Sequence, residues 1–222
     1  MNIRWFGQAC FLVTSSTGAR ILMDPFGQGF GYPVPRVEAE CVTISHSHVD
    51  HSNAEAVTGA PEILRAPGRW SIAGVELQGV QTYHDAVEGR KRGPNIVFRL
   101  EMDGLALCHS GDLGHPLDEA RLAELGKVDI LLLHVGGGFA QTVEEAVELR
   151  RRLGAAVTVP MHYRTPAMGL GGLFFKPVER FIAAAGEEPR RVRRLDREGV
   201  AEIDVDRTSL ARMAGIAVLG YR

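Results

Sequence analysis

Short apolar runs broken by turn residues dominate the first half of the chain. Ile3 to Phe6, Cys10 to Thr14 and Arg20 to Asp24 have strand length, and Ser15-Ser16-Thr17-Gly18 reads as the turn between the last two. Residues 25–37 are rich in Gly, Pro and aromatics, which predicts a long loop of the kind that often serves function. Cys41 to Ser45 predicts a short buried strand, and Ser52 to Thr58 a short helix with Ser52 as its N-cap. Further strands are expected over Glu62 to Arg65, Trp70 to Ile72, Val75 to Val80, Ile96 to Met102 and Leu105 to His109, with Asp103-Gly104 as a hairpin turn before the last.

The period then changes. Asp118 to Leu125, Thr142 to Leu153 and Pro177 to Ala185 read as helices, the last with Pro177 in its first turn. Between them, Ile130 to Leu133 and Val157 to Met161 read as buried strands, and Val192 to Asp206 as a strand pair. Strand runs followed by β-α alternation imply an α+β fold, with sheets packed together and helices outside. No linker divides the chain, so a single domain over residues 1–222 is expected.

Composition narrows the function classes. At 222 residues, 45% hydrophobic and 23% charged, the chain can bury a sizeable core. A net charge of -2 gives no global field to recruit nucleic acid or an anionic membrane. Arg190, Arg191, Arg193, Arg194 and Arg197 interleave with Glu187, Glu188, Asp196 and Glu198, which reads as a solvated face. Cys10, Cys41 and Cys108 form no CxxC pair and sit in apolar runs, so they read as buried small hydrophobes in a reducing compartment. There is no charged leader and no apolar run near the ~18 residues of a membrane helix, so a cytoplasmic location is expected.

Chemistry concentrates in His46-Ser47-His48-Val49-Asp50-His51, directly after an apolar strand. Two imidazoles spaced by one residue can point the same way from extended backbone. Asp50 and His51, past a turn, can face a second point nearby. Burying three histidines and an aspartate without a cation would leave costly unpaired polar groups. Nitrogen and carboxylate donors suit Zn2+, and also Mn2+ or Fe2+.

This run resembles the HxHxDH signature of the metallo-β-lactamase superfamily, and further motifs follow in the same order. Asp24 ends an early strand, His84 lies in Thr82-Tyr83-His84-Asp85, Asp112 closes His109-Ser110-Gly111-Asp112, and His162 lies in Pro160-Met161-His162-Tyr163. Together with Trp5-Phe6-Gly7-Gln8-Ala9, these resemble the branch of small metal-dependent hydrolases related to ascorbate-6-phosphate lactonase. The resemblance implies a four-layer αββα sandwich and two divalent cations. His46, His48 and His84 would hold one, Asp50, His51 and His162 the other, and Asp112 would bridge them. Asp24 would fix the histidine loop. His109 and His134 would support ligands from behind, with His134 also the main rival to His84 as a ligand. His115 reads as a rim residue.

Three loops, 25–37, 85–94 and 163–176, are expected around the site. Arg90, Arg92, Arg164 and Lys176 on the latter two could hold an anionic group of a small-molecule substrate. Gly169, Gly171 and Gly172 suggest that the third loop moves as a lid. The implied activity is hydrolysis of a small ester, lactone or phosphoester, with Asp50 able to accept a proton. A phosphodiesterase acting on nucleotide or phospholipid-type substrates, and a metal-binding sensor or assembly protein without turnover, are the alternatives.

Overall fold

The structure, a computed structural model, describes residues 1–192 and 200–220. Strands β1 (Asn2–Gly7), β2 (Cys10–Thr14) and β3 (Arg20–Met23) form an antiparallel meander. After the long loop come β4 (Val37–Glu38), β5 (Cys41–Thr43), β6 (Val57–Thr58) and β7 (Glu62–Leu64). β5 lies parallel to β3, and β7 parallel to β5. A second sheet begins with β8 (Gly68–Ile72), β9 (Val75–Tyr83), β10 (Pro94–Met102) and β11 (Leu105–His109), antiparallel in turn. Asp103 (φ 53°) and Gly104 (φ 72°) close the β10–β11 hairpin with two left-handed residues, the geometry that matches strand twist.

The rest alternates: α1 (Glu119–Leu125), β12 (Ile130–His134), α2 (Val143–Leu153), β13 (Val157–Met161), α3 (Val178–Ala185), then β14 (Arg190–Val192), β15 (Ala201–Asp204) and β16 (Gly215–Leu219). Among the described residues the first sheet runs β15-β1-β2-β3-β5-β7 and the second β14-β16-β13-β12-β11-β10-β9-β8. β11, β12 and β13 are buried at every residue. That is the pattern of strands covered on both faces.

Alternation along the strands explains the layers. Ile3, Trp5, Phe11, Val13, Ile21 and Met23 enter the core shared with the second sheet. Cys10, Leu12, Leu22 and Val42 point the other way, under Phe26 and Tyr32 of the 25–37 loop. Among the described residues α2 packs on β12 and on α3, and α1 on β9, so helices lie against the second sheet. The expected α+β sandwich is therefore present. All three cysteines are buried and free.

Several local expectations need correction. The segment predicted as a helix from Ser52 is only a 3-10 turn, Ala54–Ala56, followed by β6. Tertiary bonds override the local preference there: Asn53 donates through its backbone N–H to Pro25 O (2.8 Å) and through Nδ2 to Phe26 O (3.0 Å). Val57 then pairs with Val37 of β4. Within the predicted pair over 192–206, β15 pairs with β1 instead, and β14 with β16; residues 193–199, with Arg193, Arg194 and Arg197, lie outside the described residues. The glycine-bearing segment 163–176 is organised as 3-10 turns over Pro166–Phe174, with Gly172 buried. It is tied to the 25–37 loop by the Tyr32 and Thr165 hydroxyls at 2.5 Å. Among the described residues, no helix is long and apolar enough to cross a membrane.

Candidate metal centre

β9, β11, β12 and β13 share a direction, and so do β3 and β5. At or just past the carboxyl ends of these six strands stand His84, Asp112, His134, His162, Asp24 and the His46–His51 run. An edge of this kind is where open α/β sheets expose backbone and side chains to ligands.

The run itself is a series of bends and a turn, because β5 stops at Thr43. Asp24 gives the loop its shape. Its carboxylate accepts from Ser45 N (2.7 Å), Ser45 Oγ (2.5 Å) and His51 Nδ1 (2.8 Å). Ser45 Oγ in turn accepts from His46 Nδ1 (2.9 Å). Both ring contacts fix which nitrogen faces inward, as supporting partners of metal-binding imidazoles do. His46 Nε2 then faces His48 Nδ1 at 3.1 Å, and His51 Nε2 faces His162 Nε2 at 3.1 Å. Asp50 Oδ2 lies 3.3 Å from His162 Nε2.

Asp112 stands between the groups. Its Oδ2 is 3.2 Å from His84 Nε2, and its Oδ1 is 3.4 Å from His51 Nε2. The His84 ring packs against those of His46 and His48, with centroids 4.8 and 4.9 Å away. Potential ligand atoms fall into close sets: His46, His48 and His84; Asp50, His51 and His162; and Asp112, His134 and His162. His84 and His134, the two rivals, approach different oxygens of Asp112, His84 Nε2 at 3.2 Å from Oδ2 and His134 Nε2 at 3.9 Å from Oδ1.

These residues fit divalent cations. Donors around a tetrahedral Zn2+ with ~2.0–2.1 Å bonds lie about 3.3 Å apart. The separations here cluster around that value. Among the described residues Asp112 Oδ1 is buried with no hydrogen-bond partner, an arrangement that is costly without a compensating positive charge.

Several residues that sequence reasoning missed hold the ligands in place. Asn95 is fully buried; its Oδ1 accepts from Asp112 N (3.0 Å), and its Nδ2 donates to Thr82 Oγ1 (2.8 Å) and Ser110 O (3.1 Å). Gly111 has φ 54°, and a Cβ there would lie 2.3 Å from Asn95 Oδ1. His109, expected to support Asp112, donates from Nε2 to Ala9 O (2.8 Å) and accepts from Gly111 N at Nδ1 (3.1 Å). It shapes the turn before Asp112 and does not touch the carboxylate. His162, itself at φ 56°, donates its N–H to Gln8 O (3.1 Å). The segment Trp5–Ala9 therefore buttresses the site from the opposite sheet. His115 accepts from Tyr83 N at Nε2 (3.2 Å), beside His84. The signal for Asn95 in the sequence was faint: one polar residue near the start of a strand that also carries Arg99 and Glu101.

Burial pushes the His46 imidazole down to about 3, does the same to His134, and lowers His48. Burial opposes charge on His51 too, but the Asp112, Asp50 and Asp24 carboxylates outweigh it and hold that ring well above its ordinary value. For Asp112 and Asp50 burial works upward, yet His51 and His162 keep both below the usual carboxylate range. Without a cation, one proton on His51 thus offsets part of the carboxylate charge.

Of the cationic candidates, Arg92 stacks its guanidinium 3.8 Å from the Phe139 ring centroid, and Arg90 Nε donates to Val87 O (3.0 Å). Their loop is shaped by Asp85, which accepts from the backbone N–H groups of Val87, Gly89, Lys91 and Arg92. Arg164 and Lys176 have exposed side chains and pair through their backbones at 3.0 Å. Phe175 packs its ring 4.8 Å from that of His162.

Residues 2–162 match the family model described as the β-lactamase superfamily domain. The chain belongs to the metallo-β-lactamase superfamily. It is 30% identical over 194 residues to a protein of Thermoplasma volcanium named a UPF0173 metal-dependent hydrolase, covering 74% of this chain and 84% of that one. A protein of the same designation from Methanoculleus marisnigri is 32% identical over 189 residues, covering 74% of this chain and 82% of the relative. A crystal structure from Thermotoga maritima, provisionally assigned as a Zn-dependent hydrolase of the superfamily, superposes with a TM-score of 0.79 at 34% identity, over 98% of this chain and 97% of that one.

Proposed function

We propose that the chain is a metal-dependent hydrolase that opens a small ester, lactone or phosphoester at a two-cation site, within one domain spanning residues 1–222. The observation that carries the reading is Asp112: its two carboxylate oxygens face different sets of imidazoles, Oδ2 toward His84 and Oδ1 toward His51. His46, His48 and His84 would hold one cation, Asp50, His51 and His162 the other, and Asp112 both. Zn2+ suits this nitrogen and oxygen set, as do Mn2+ and Fe2+. Bound together, two such ions lower the pKa of a water toward neutrality and take up negative charge on the attacked oxygen.

The chain's own groups supply the rest. Asp24 and Ser45 orient His51 and His46, and Asn95 holds the backbone of Asp112. Asp50 has the most exposed carboxylate of the site, 20% against 9% for Asp112, so it is the one that can take a proton from an incoming water. Phe175 screens His162. Arg92 and Arg164, on the segments that follow His84 and His162 in the chain, would be the partners for an anionic substrate group. A single core cluster running from Met1 to Leu219 supports the one-domain reading.

The test is turnover by the metal-loaded protein on phosphorylated and plain lactones beside a chromogenic phosphodiester. Lactone opening is expected to dominate; preferential diester cleavage would favour phosphodiesterase action. Cleavage of neither would contradict the hydrolase reading and leave a metal-binding protein. Asp112→Ala is expected to lose cations and turnover together, checked by metal analysis. Two cations retained in that variant would contradict the bridging role.

A further inference from the structure

His134 closes β12 and is 1% exposed, yet its ring has no evident structural purpose. Its main chain is fully engaged: His134 N donates to Ser110 Oγ (3.0 Å), and His134 O accepts from Gln141 Nε2 (3.0 Å). Those bonds would serve any residue at this position. The imidazole is different. Its Nδ1 is buried with no hydrogen-bond partner among the described residues. Its Nε2 lies 3.9 Å from Asp112 Oδ1, too far for a hydrogen bond. A leucine or phenylalanine could fill the space without burying two polar atoms, so packing alone leaves the histidine unexplained.

The geometry supplies the missing reason. His162 Nε2 stands 3.8 Å from Asp112 Oδ1, and His134 Nε2 stands 3.9 Å from the same oxygen. The two rings are neighbours, with centroids 4.9 Å apart. Potential ligand atoms of Asp112, His134 and His162 all lie within 4.8 Å of one another. Relative to Asp112, His134 therefore occupies the same kind of position as His162.

We propose that His134 is a further ligand of the cation assigned to Asp50, His51 and His162, approaching from the Asp112 Oδ1 side. This rests on the two-cation reading above. It gives each cation three imidazoles, His46, His48 and His84 at one and His51, His162 and His134 at the other. Equal nitrogen sets favour the borderline cations Zn2+ and Co2+ at both positions, and oppose a site split between a nitrogen-preferring and an oxygen-preferring ion.

The test replaces both cations with Co2+ and records the shifted, solvent-exchangeable ring N–H signals by proton NMR. Wild type is expected to show one more such signal than the other five proposed histidine ligands can supply. His134→Phe, which keeps a buried ring without a donor, should lose that signal and weaken one of the two cations by at least about 100-fold, since losing a direct ligand costs no less than losing a supporting partner. His134→Ala serves if the phenylalanine does not pack. A wild-type spectrum with no extra signal, or a variant that keeps every signal and both affinities, would overturn the proposal while leaving the two-cation reading intact. Wild type that takes up fewer than two Co2+ ions would sink both.

Discussion

At the residue scale the centre is governed by which protons are present. His46 and His134 are held neutral by burial and offer lone pairs at no protonation cost, whereas His51 is held protonated by Asp112, Asp50 and Asp24. A cation taken up at His51 must displace that proton, so binding releases it. The sign follows: since the His51 pKa is raised, the proton competes most at low pH, and affinity for Zn2+ should climb as pH rises from the ordinary imidazole range through the raised His51 value. Calorimetry in buffers of different ionisation enthalpy would report the released proton; pH-independent affinity would contradict the assignment. Asp24→Asn should weaken the cation at His51 by about 10- to 100-fold, because the Asp24–His51 contact orients the ring. Metal analysis under a chelator series would read this.

At the element scale, the parts of the fold readable from sequence are those set by local chemistry. Thr142 caps α2 with a complete capping box to Glu145, and Asp118 caps α1, each at the residue where the helix was expected to begin. Thr142→Ala should cost about 1 kcal/mol by chemical denaturation while leaving cation content unchanged. The elements that were not legible depend on distant partners. The segment after Ser52 carries helix-start signals, but bonds from Asn53 to Pro25 and Phe26 draw it into another path. β15 was visible as a strand, yet its pairing with β1, almost the whole chain length away, has no local signature. Gly111 is where element and site meet. Gly111→Ala should destabilise the fold by roughly 1–3 kcal/mol, since φ 54° strains an L side chain and the Cβ would strike Asn95. It should also loosen Asp112, so the stability loss comes with a cation loss that Thr142→Ala does not show.

At the scale of the whole molecule, one core joins two sheets whose strand ends bring together the proposed ligands from chain positions as far apart as His51 and His162. Motif spacing made His46 to His51 legible, because metal chemistry restricts residue type, whereas His84, Asp112 and His162 were legible only through the family resemblance. Asn95, Ser45 and Gln8 were not legible, since hydrogen-bonding scaffolds draw on common residues and Gln8 contributes only its backbone oxygen to His162. The folded chain gathers ligands that the unfolded chain scatters, so cations should stabilise it. At about 100 times Kd each cation adds ~2.7 kcal/mol. For a chain of this size that raises Tm by about 5–10 °C per cation, and EDTA should remove the gain. The central claim is that the ligands form two cation sites bridged by Asp112. Its most direct test is calorimetric titration of chelator-stripped protein with Zn2+: two equivalents bound per chain are expected, and saturation at one equivalent or none would contradict the account.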